Sequence, residues 1–305
     1  MQKYIFKRIV QSVVTIFLIV VIVFFLVRLT GDPLAMIVPP DAEEADVQIL
    51  KKKFGLDQPI LLQLLVFLKS AARGDFGESF KWQEPALELV LSRFPATLEL
   101  AVSAMLIATI FGLSIGIVSA LKQDSVYDRV GKTFSLLGQA TPSFWLGVML
   151  MLFFGVKLDW LPVSGRGSLL HLILPATTIS LISLASIARL TRSSMIDALK
   201  SEYVVMARIK GVPQHVVVLI HALKNASIPI LTLMSMQFSY LIAGTVVVET
   251  IFSWPGTGRL AIQALLARDF PVVQAFVLFA SFIYTAVNLI VDVLYALIDP
   301  RIRYQ

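Results

Sequence analysis

The sequence predicts an all-α membrane protein with six transmembrane helices, and three observations support this. Of its 305 residues, 57% are hydrophobic and only 15% are charged, whereas soluble domains carry about 25% charged residues. The apolar residues are concentrated in six runs, close to the roughly 20 residues that a helix needs to cross a bilayer. The sequence contains no cysteine, so no disulfide or thiolate contributes to it. This composition excludes a soluble enzyme, a disordered chain and a disulfide-rich secreted module.

The first predicted span covers residues 9–27 and follows Lys3, Lys7 and Arg8. It is longer than the apolar core of a signal peptide, about 7–15 residues, and no small-x-small cleavage site follows it. We therefore expect an uncleaved first span. The other five predicted spans are residues 100–121, 134–156, 173–187, 228–248 and 272–298, of which the fourth is short and rich in Ser and Thr.

The distribution of basic residues predicts the orientation in the membrane. Lys and Arg are concentrated in both termini and in the loops after the second and fourth spans, and they are sparse in the two short loops on the opposite side. Because cytoplasmic loops are enriched in Lys and Arg, both termini are expected in the cytoplasm. The net charge of +6 then reflects topology rather than nucleic-acid binding.

Four segments follow from these spans. Residues 1–29 form the cytoplasmic N-terminal tail and first helix, and residues 30–95 form an extracytoplasmic region with a short amphipathic helix over 60–72. Residues 96–298 form the transmembrane core, and residues 299–305 form a cytoplasmic C-terminal tail. No separate soluble domain is expected.

The cytoplasmic loop at about 190–226 has a pattern of its own. Residues 191–210 contain good helix formers and neither Gly nor Pro. Gly211 then stands where a helix C-terminus favours positive φ, and Pro213 suits the first turn of a following helix. We predict a helix, a glycine elbow and a second helix with one apolar side. That pattern fits an amphipathic helix resting on lipid headgroups and equally a knob that docks another protein.

Candidate catalytic and metal sites are weak. Gly131-Lys132-Thr133 resembles the end of a phosphate-binding loop, but position 126, where that motif needs glycine, is Val126. The three histidines, His171, His215 and His221, do not have the spacing of a metal site on one helix. We predict no catalytic residue, no metal site and no cofactor bound by this chain.

Three intramembrane or interfacial features remain. Gly112 and Gly116 form a small-xxx-small pair that predicts close helix packing, within the chain or against a partner. The segment at 254–258, Trp-Pro-Gly-Thr-Gly, predicts a tight turn that is either a plain interfacial turn or a gate at the mouth of a pore. Asp292 lies near the cytoplasmic end of the sixth span, where a proton-coupled carrier could use it, but we expect it to face a neighbouring helix and form a hydrogen bond there.

The cytoplasmic loop resembles the EAA loop of ABC-importer permeases, most closely those of the peptide/nickel subfamily. The similarity rests on residues 202–212 and 221–229 and on six further motifs, at 31–33, 55–59, 74–77, 95–100, 248–256 and 299–304. The long outer loop after the first span is similar to that of the first-named of the two dipeptide permease subunits. Two positions depart from the pattern: Val205 stands where the general EAA loop has Glu, and Thr30 replaces a Pro often seen before Gly-Asp-Pro.

This resemblance implies the permease fold of type I ABC importers, in a multi-pass subunit of the bacterial inner membrane. It implies four partners: a homologous second permease, two ATP-binding subunits that hold ATP and Mg, and an extracytoplasmic solute-binding protein. It also implies an ATPase-coupling surface, comprising Glu202, Tyr203, Ala207, Arg208, Lys210 and Gly211. The outer gate would then comprise Trp254, Pro255, Gly256 and Gly258.

The expected cargo is short peptides, with glutathione or a nickel complex as alternatives within the same family. Two rival functions stay open at this stage. One is a self-sufficient secondary carrier, which would have inverted repeats and broken spans; the sequence shows neither. The other is a membrane anchor or assembly scaffold.

Overall fold

The computed structural model describes residues 2–30 and 57–298, which are almost entirely helical. Within these ranges no strand occurs, only one isolated bridge between Glu78 and Pro85, which confirms the all-α prediction. The motifs at 31–33 and 299–304, part of that at 55–59 and the predicted tail at 299–305 lie outside the described residues. The helices are α1 (Gln2–Thr30), α2 (Ile60–Ala71), α3 (Ala86–Leu121), α4 (Val126–Ala140), α5 (Ser143–Leu150), α6 (Leu169–Leu199), α7 (Glu202–Ile209), α8 (Gln214–Val216), α9 (Leu223–Gly244), α10 (Val246–Ile251), α11 (Thr257–Leu266) and α12 (Phe270–Ile298).

Five helical segments of the described chain are long and apolar enough to span a membrane, and a bent pair makes up to six. The five are α1, α3, α6, α12 and the segment from α8 to α9, in which a π-helix (Val217–Ala222) joins the two α-helices. The predicted number of spans therefore agrees with the structure once the bent pair counts as one.

The third span is broken, which the sequence analysis did not predict. Instead of one helix over 134–156, α4 and α5 meet at an angle of 105°. Thr141 and Pro142 both have an extended backbone, and Pro142 is the N-cap of the second helix, which begins at Ser143. Proline disfavours helical geometry at the residue before it and supplies no N–H to the preceding helix, so the span bends there.

The fourth span is longer than predicted. It forms the 31-residue helix α6, and its most apolar window is the most buried among the candidate spans. Its hydroxyl groups lower the hydropathy, yet three of them bond within the helix: the Thr178 hydroxyl donates to the carbonyl of Leu174 at 2.7 Å, that of Ser180 to Thr177 at 2.9 Å and that of Ser186 to Ile182 at 2.9 Å. A helix in the centre of a membrane protein contacts protein rather than lipid, so hydroxyls and small residues are tolerated.

The chain divides into two compact units. The first comprises Met1–Ala96 and Pro255–Leu289, and the second comprises Thr97–Trp254 and Ile290–Gln305. In the first unit, the start of α3 packs against α11 and α12 through an apolar cluster of Ala86, Leu89, Val90, Leu260, Ala264, Val272 and Ala275.

A buried carboxylate anchors the loop between α2 and α3 in this first unit. Asp269 is fully buried, and its Oδ2 accepts hydrogen bonds from the Ser79 hydroxyl at 2.5 Å and from the Lys81 backbone N–H at 3.1 Å. The Ser79 hydroxyl in turn accepts from the Trp82 backbone N–H at 2.9 Å. The Asp269 side chain thereby fixes the short loop at residues 79–82.

In the second unit, two glycines bring α3 against α6. A Cβ on Gly112 would lie 2.9 Å from the Ile187 side chain, and one on Gly116 would lie 2.5 Å from Thr191 Cβ and 2.7 Å from the Ala188 carbonyl oxygen. These distances leave no room for any side chain. The small-xxx-small pair of α3 therefore packs within this chain, against the central helix α6.

Replacing Gly116 with Val is expected to destabilise the protein. The added side chain must push α3 away from the α6 backbone, and such overpacking costs about 1–3 kcal/mol. The apparent unfolding temperature of the purified protein in detergent should fall. The matched control is Ser114→Val, two residues away on an exposed position of the same helix; an equal fall in both variants would contradict this packing role.

Candidate functional site

The segment between α6 and α9 corresponds to the predicted cytoplasmic loop, with different helix boundaries. The expected helix over 191–210 is interrupted, because α6 continues to Leu199 and α7 begins at Glu202 after Lys200 and Ser201. The second predicted helix is not separate either, since it continues through the π-helix into α9. The short helix α7 therefore lies between the end of α6 and the start of the next membrane-spanning segment, α8 to α9.

The elbow after α7 is a glycine-terminated helix end. Gly211 has a φ of +75°. Its backbone N–H donates to the carbonyl of Arg208 at 3.0 Å, and the N–H of Val212 donates to that of Ala207 at 3.1 Å. This pair of bonds is the Schellman arrangement, in which the residue after the C-cap adopts the left-handed conformation that glycine tolerates best.

One face of α7 is packed into the protein. Val204 is fully buried and Ala207 is 8% exposed. Both belong to an apolar cluster with the end of α6, the π-helix and the start of α9, comprising Ala120, Met195, Ala198, Leu199, Val204, Ala207, Val217, Val218, Ala222, Ala226 and Ile230. Through this cluster α7 is held firmly to both spans that flank it.

The opposite face of α7 exposes large apolar side chains. Tyr203 is 44% exposed, Met206 53% and Ile209 75%, and Val205 beside them is 46% exposed. Spaced three residues apart, the first three form a stripe along the helix; we call Tyr203, Val205, Met206 and Ile209 the α7 stripe. The predicted coupling residues Glu202, Arg208, Lys210 and Gly211 are also exposed. Ala207, in contrast, faces the chain's own core rather than this surface.

A buried ion cluster joins α4 to α6 near the C-terminal end of α6. Asp128 of α4 is fully buried. Arg192 of α6 donates to it from Nε at 2.6 Å and from Nη2 at 2.9 Å, and the ammonium of Lys132 lies 2.9 Å from Oδ2. The Asp124 backbone N–H adds a bond at 3.0 Å. A two-pronged Arg–carboxylate contact of this kind fixes the distance and angle between α4 and α6.

This cluster also explains the Gly-Lys-Thr motif. Gly131 and Lys132 lie inside helix α4, whereas a phosphate-binding loop needs a strand, a loop and a helix start. Gly131 allows α4 to approach Ser119 of α3, and Lys132 pairs with Asp128. Gly131 and Lys132 therefore both contact residues of this chain, and packing and ion pairing account for their presence in α4.

The predicted outer-gate segment lies after α10. Trp254 is 1% exposed, so its ring is packed inside the chain. The positive φ in this turn belongs to Ser253, at +50°, while Gly256 has a φ of −94° and precedes α11. Pro255 is half-buried and Gly258 is buried.

Sequence analysis missed the side chains that hold this turn. Glu249 of α10 is fully buried, and its Oε1 accepts from the Thr97 hydroxyl at 2.7 Å and from the Thr245 hydroxyl at 2.8 Å. Its backbone carbonyl accepts from the Trp254 N–H at 2.8 Å. Thr97 and Glu249 both belong to motifs that carried the family resemblance, but their pairing across 152 positions is visible only in the fold.

A second contact joins the loop before α6 to the same turn. The Arg166 guanidinium bonds Glu99 at 2.6 Å and lies 5.9 Å from the centre of the Trp254 ring. The backbone N–H of Gly165 donates to the carbonyl of Phe252 at 2.9 Å. The turn after α10 is therefore fastened both to α3 and to the loop preceding α6.

The histidines and Asp292 are the remaining candidates from the sequence. Among the described residues, no group of three or more His, Asp or Glu side chains is close enough to hold a metal ion. Asp292 lies in α12 at a position whose side chain is outside the described part of the structure.

The comparisons with known proteins cover the whole chain. Residues 112–304 match the family described as binding-protein-dependent transport system inner membrane component, and residues 1–101 match its N-terminal family. The chain is 42% identical over 306 residues to the glutathione transport system permease protein GsiC of Salmonella choleraesuis (strain SC-B67), covering 100% of both chains. It is 41% identical, with the same coverage, to GsiC of Escherichia coli (strain K12).

Two solved structures share the fold. The methionine ABC transporter MetNI, in an inward-facing conformation, matches with a TM-score of 0.56 and 12% identity, over 69% of this chain and 96% of the other. An amino acid ABC transporter matches with a TM-score of 0.51 and 20% identity, over 70% of this chain and 94% of the other. With these matches and the full-length identity to GsiC, the chain belongs to the inner membrane components of binding-protein-dependent transport systems, as an ABC permease of the peptide/nickel type.

Proposed function

We propose that this permease forms half of the translocation path of an ATP-driven importer for short peptides, glutathione included, and that a homologous second permease forms the other half. The cargo rests on the relatives named as glutathione permeases, which are 41–42% identical over their full length. Glutathione is itself a tripeptide, so the expected peptide cargo and the relatives' cargo belong to one chemical class.

The energy comes from two separate ATP-binding subunits, which hold ATP and Mg. The only nucleotide-like motif noted in the sequence, Gly131-Lys132-Thr133, is helical and bonded within this chain. This chain therefore acts as a transport subunit and not as an ATPase. An extracytoplasmic solute-binding protein delivers the cargo to the opposite face.

The α7 stripe is the observation that carries the proposal. An exposed apolar surface on a short helix outside the membrane is costly unless a partner covers it. The stripe lies on a helix whose other face is packed against both neighbouring spans. A groove of the ATPase can bind this face of α7, and a displacement of α7 is then transmitted to α6 and α9.

The charged residues around the stripe fit this docking role. Glu202 lies in the first turn of α7, and Arg208 in its last turn, the placement that the helix dipole favours. Both are exposed, as is Lys210. We propose that they form a polar rim around the apolar centre, as in other protein interfaces.

Coupling then works as a population shift. Closure of the ATPase dimer displaces both α7 helices of the permease pair, and the spans move between outward-open and inward-open states. The turn at residues 253–258 is the proposed outer gate, because its fastening by Glu249 and Arg166 can be made or released as those states exchange. In this arrangement both termini and α7 are cytoplasmic, as the Lys and Arg distribution predicts.

The break between α4 and α5 is the one feature that also suits a stand-alone secondary carrier. The family match, full-length, favours the importer. Reconstitution separates the two. Liposomes holding the complete complex should accumulate peptide only with ATP and binding protein, and excess glutathione should compete with labelled dipeptide.

The control for that experiment is the single permease reconstituted alone. It should show no uphill accumulation under any ion gradient. Sustained accumulation by the lone subunit would overturn the importer assignment, and full uptake in the presence of excess glutathione would overturn the assigned cargo.

Replacing Gly211 with Val should impair transport without preventing insertion. A β-branched residue at a φ of +75° introduces backbone strain of about 1–3 kcal/mol and tilts α7. Uptake and ligand-stimulated ATPase activity should both fall. Gly211→Asn is the matched control, because Asn tolerates the left-handed conformation; it should retain most activity. Equal activity in both variants would show that the elbow conformation is not needed.

A cysteine in place of Met206 should cross-link to an ATP-binding subunit with a short bifunctional reagent, since Met206 is 53% exposed on the α7 stripe. Ala207→Cys is the matched control: it is the adjacent residue, yet only 8% exposed, so its cross-linking should be much weaker. If α7 instead rests on lipid headgroups, neither variant will cross-link to the ATPase in an active complex.

A further inference from the structure

An apolar groove lies between the last turns of α3 and the first half of α4. Its volume is about 580 Å³. Its walls are formed by Ile115 and Val118 on α3 and by Tyr127, Val130 and Phe134 on α4. Of these, Tyr127 and Val130 are 60% and 61% exposed. The groove opens to the surroundings of the protein, and its wall is almost entirely apolar, which suits an acyl chain.

A smaller pocket of about 200 Å³ adjoins this groove. Its wall is almost entirely apolar, but three cationic residues border it: Lys132, Arg189 and Arg192. The groove and the pocket share the walls of Ile115, Ser119 and Gly131. An apolar slot and a group of cationic side chains therefore lie side by side, where α3 and α4 touch.

The pocket keeps an excess of positive charge. Asp128 is engaged by Arg192 and Lys132 at 2.6 and 2.9 Å. The other nearby carboxylate, Asp124, is 3.8 Å from Lys132 with a side chain 90% exposed, so solvent screens it. Arg189 makes no ion pair with any described residue. Arg189 is exposed and is one of the residues that border the pocket.

We propose that this place binds one anionic phospholipid of the surrounding bilayer. The phosphate lies at the mouth of the pocket against Arg189 and Lys132, and one acyl chain follows the groove along Val118 and Val130. The charge excess selects a lipid with net negative charge, and basic pockets between spans on the cytoplasmic side are where such headgroups bind. The leaflet, though not the binding itself, rests on the proposed cytoplasmic orientation of this end.

The bound lipid would act on the part of α6 that precedes α7. Its headgroup touches Arg189, one turn before Arg192, whose bond to Asp128 fixes α4 to α6. Its acyl chain fills the space that otherwise separates α3 from the exposed side of α4. An anionic lipid thus stabilises the helices to which α7 transmits its motion, which is a role beyond the transport function itself.

The test is native mass spectrometry of the intact importer complex, incubated with phosphatidylglycerol or with phosphatidylcholine of identical acyl chains. Phosphatidylglycerol should be retained in excess. Arg189→Gln should lower its occupancy about fivefold, as expected for one cation near an anionic headgroup. Arg129→Gln is the matched control, since Arg129 is exposed in the first turn of α4 but does not line the pocket; it should leave occupancy unchanged.

A second variant tests the groove without changing charge. Val118→Phe narrows the slot and should also reduce phosphatidylglycerol occupancy. Equal retention of both lipids, or an equal effect of the Arg189 and Arg129 variants, would overturn the proposal, because either result means diffuse attraction rather than a site. A cysteine at Val130 that cross-links to the second permease would overturn it as well, since protein would then occupy the groove. None of these readouts depends on peptide uptake, so this proposal and the importer function can fail separately.

Discussion

Close contact around helix α6 is the constraint on which the second unit depends. Gly112 and Gly116 of α3, Gly138 of α4 and Gly147 of α5 each lie where a Cβ would come within 3.3 Å of an α6 side chain or carbonyl. Dispersion contacts act only over such short distances, and within a membrane they replace the hydrophobic effect as the force between helices. Four missing side chains, contributed by three different helices, thus allow α6 to be the central element of the second unit.

Two buried acids in this unit are compensated in different ways. Asp128 is ionically paired with Arg192 and Lys132, and because removing one member of such a pair leaves an unpaired charge, the contact defines one geometry strongly. Glu249 accepts hydrogen bonds from two threonine hydroxyls instead. Hydroxyl contacts are individually weaker than charged ones. The Asp128 contact therefore fixes α4 to α6 more strongly than the Glu249 contact fixes the turn after α10.

These contacts also make the segment around α7 rigid. Arg192 fixes α6 to α4 close to the point where α6 ends, and the apolar cluster below α7 joins that end to α9. The π-helix at Val217–Ala222 supplies part of the cluster, and π-helical turns recur at functional sites in helices. A force on the α7 stripe therefore reaches two spans at once rather than being absorbed in a loose connector.

Hydropathy located the spans but not their full lengths or their breaks. It placed the end of the second predicted span at Leu121, where α3 ends, but it began that span at residue 100 although α3 begins at Ala86. It also shortened α6, because Thr178 and Ser180 lower the average although both hydroxyls are bonded inside the helix. The break at Thr141-Pro142 also escaped it. Composition is averaged over a window and does not register the backbone effect of one proline in an otherwise apolar run.

By itself, the sequence determined the class of protein, the number of spans, the glycine elbow and the family. Each depends on local properties: apolar length, a residue type that tolerates positive φ, and motifs of adjacent residues. Only the tertiary structure decided that Ala207 faces inward while Met206 faces outward, that Thr97 bonds Glu249, and that Arg192 and Lys132 share Asp128. These are relations between residues far apart in the chain or on opposite sides of one helical turn, and helix packing, which places them, depends on every neighbouring side chain at once.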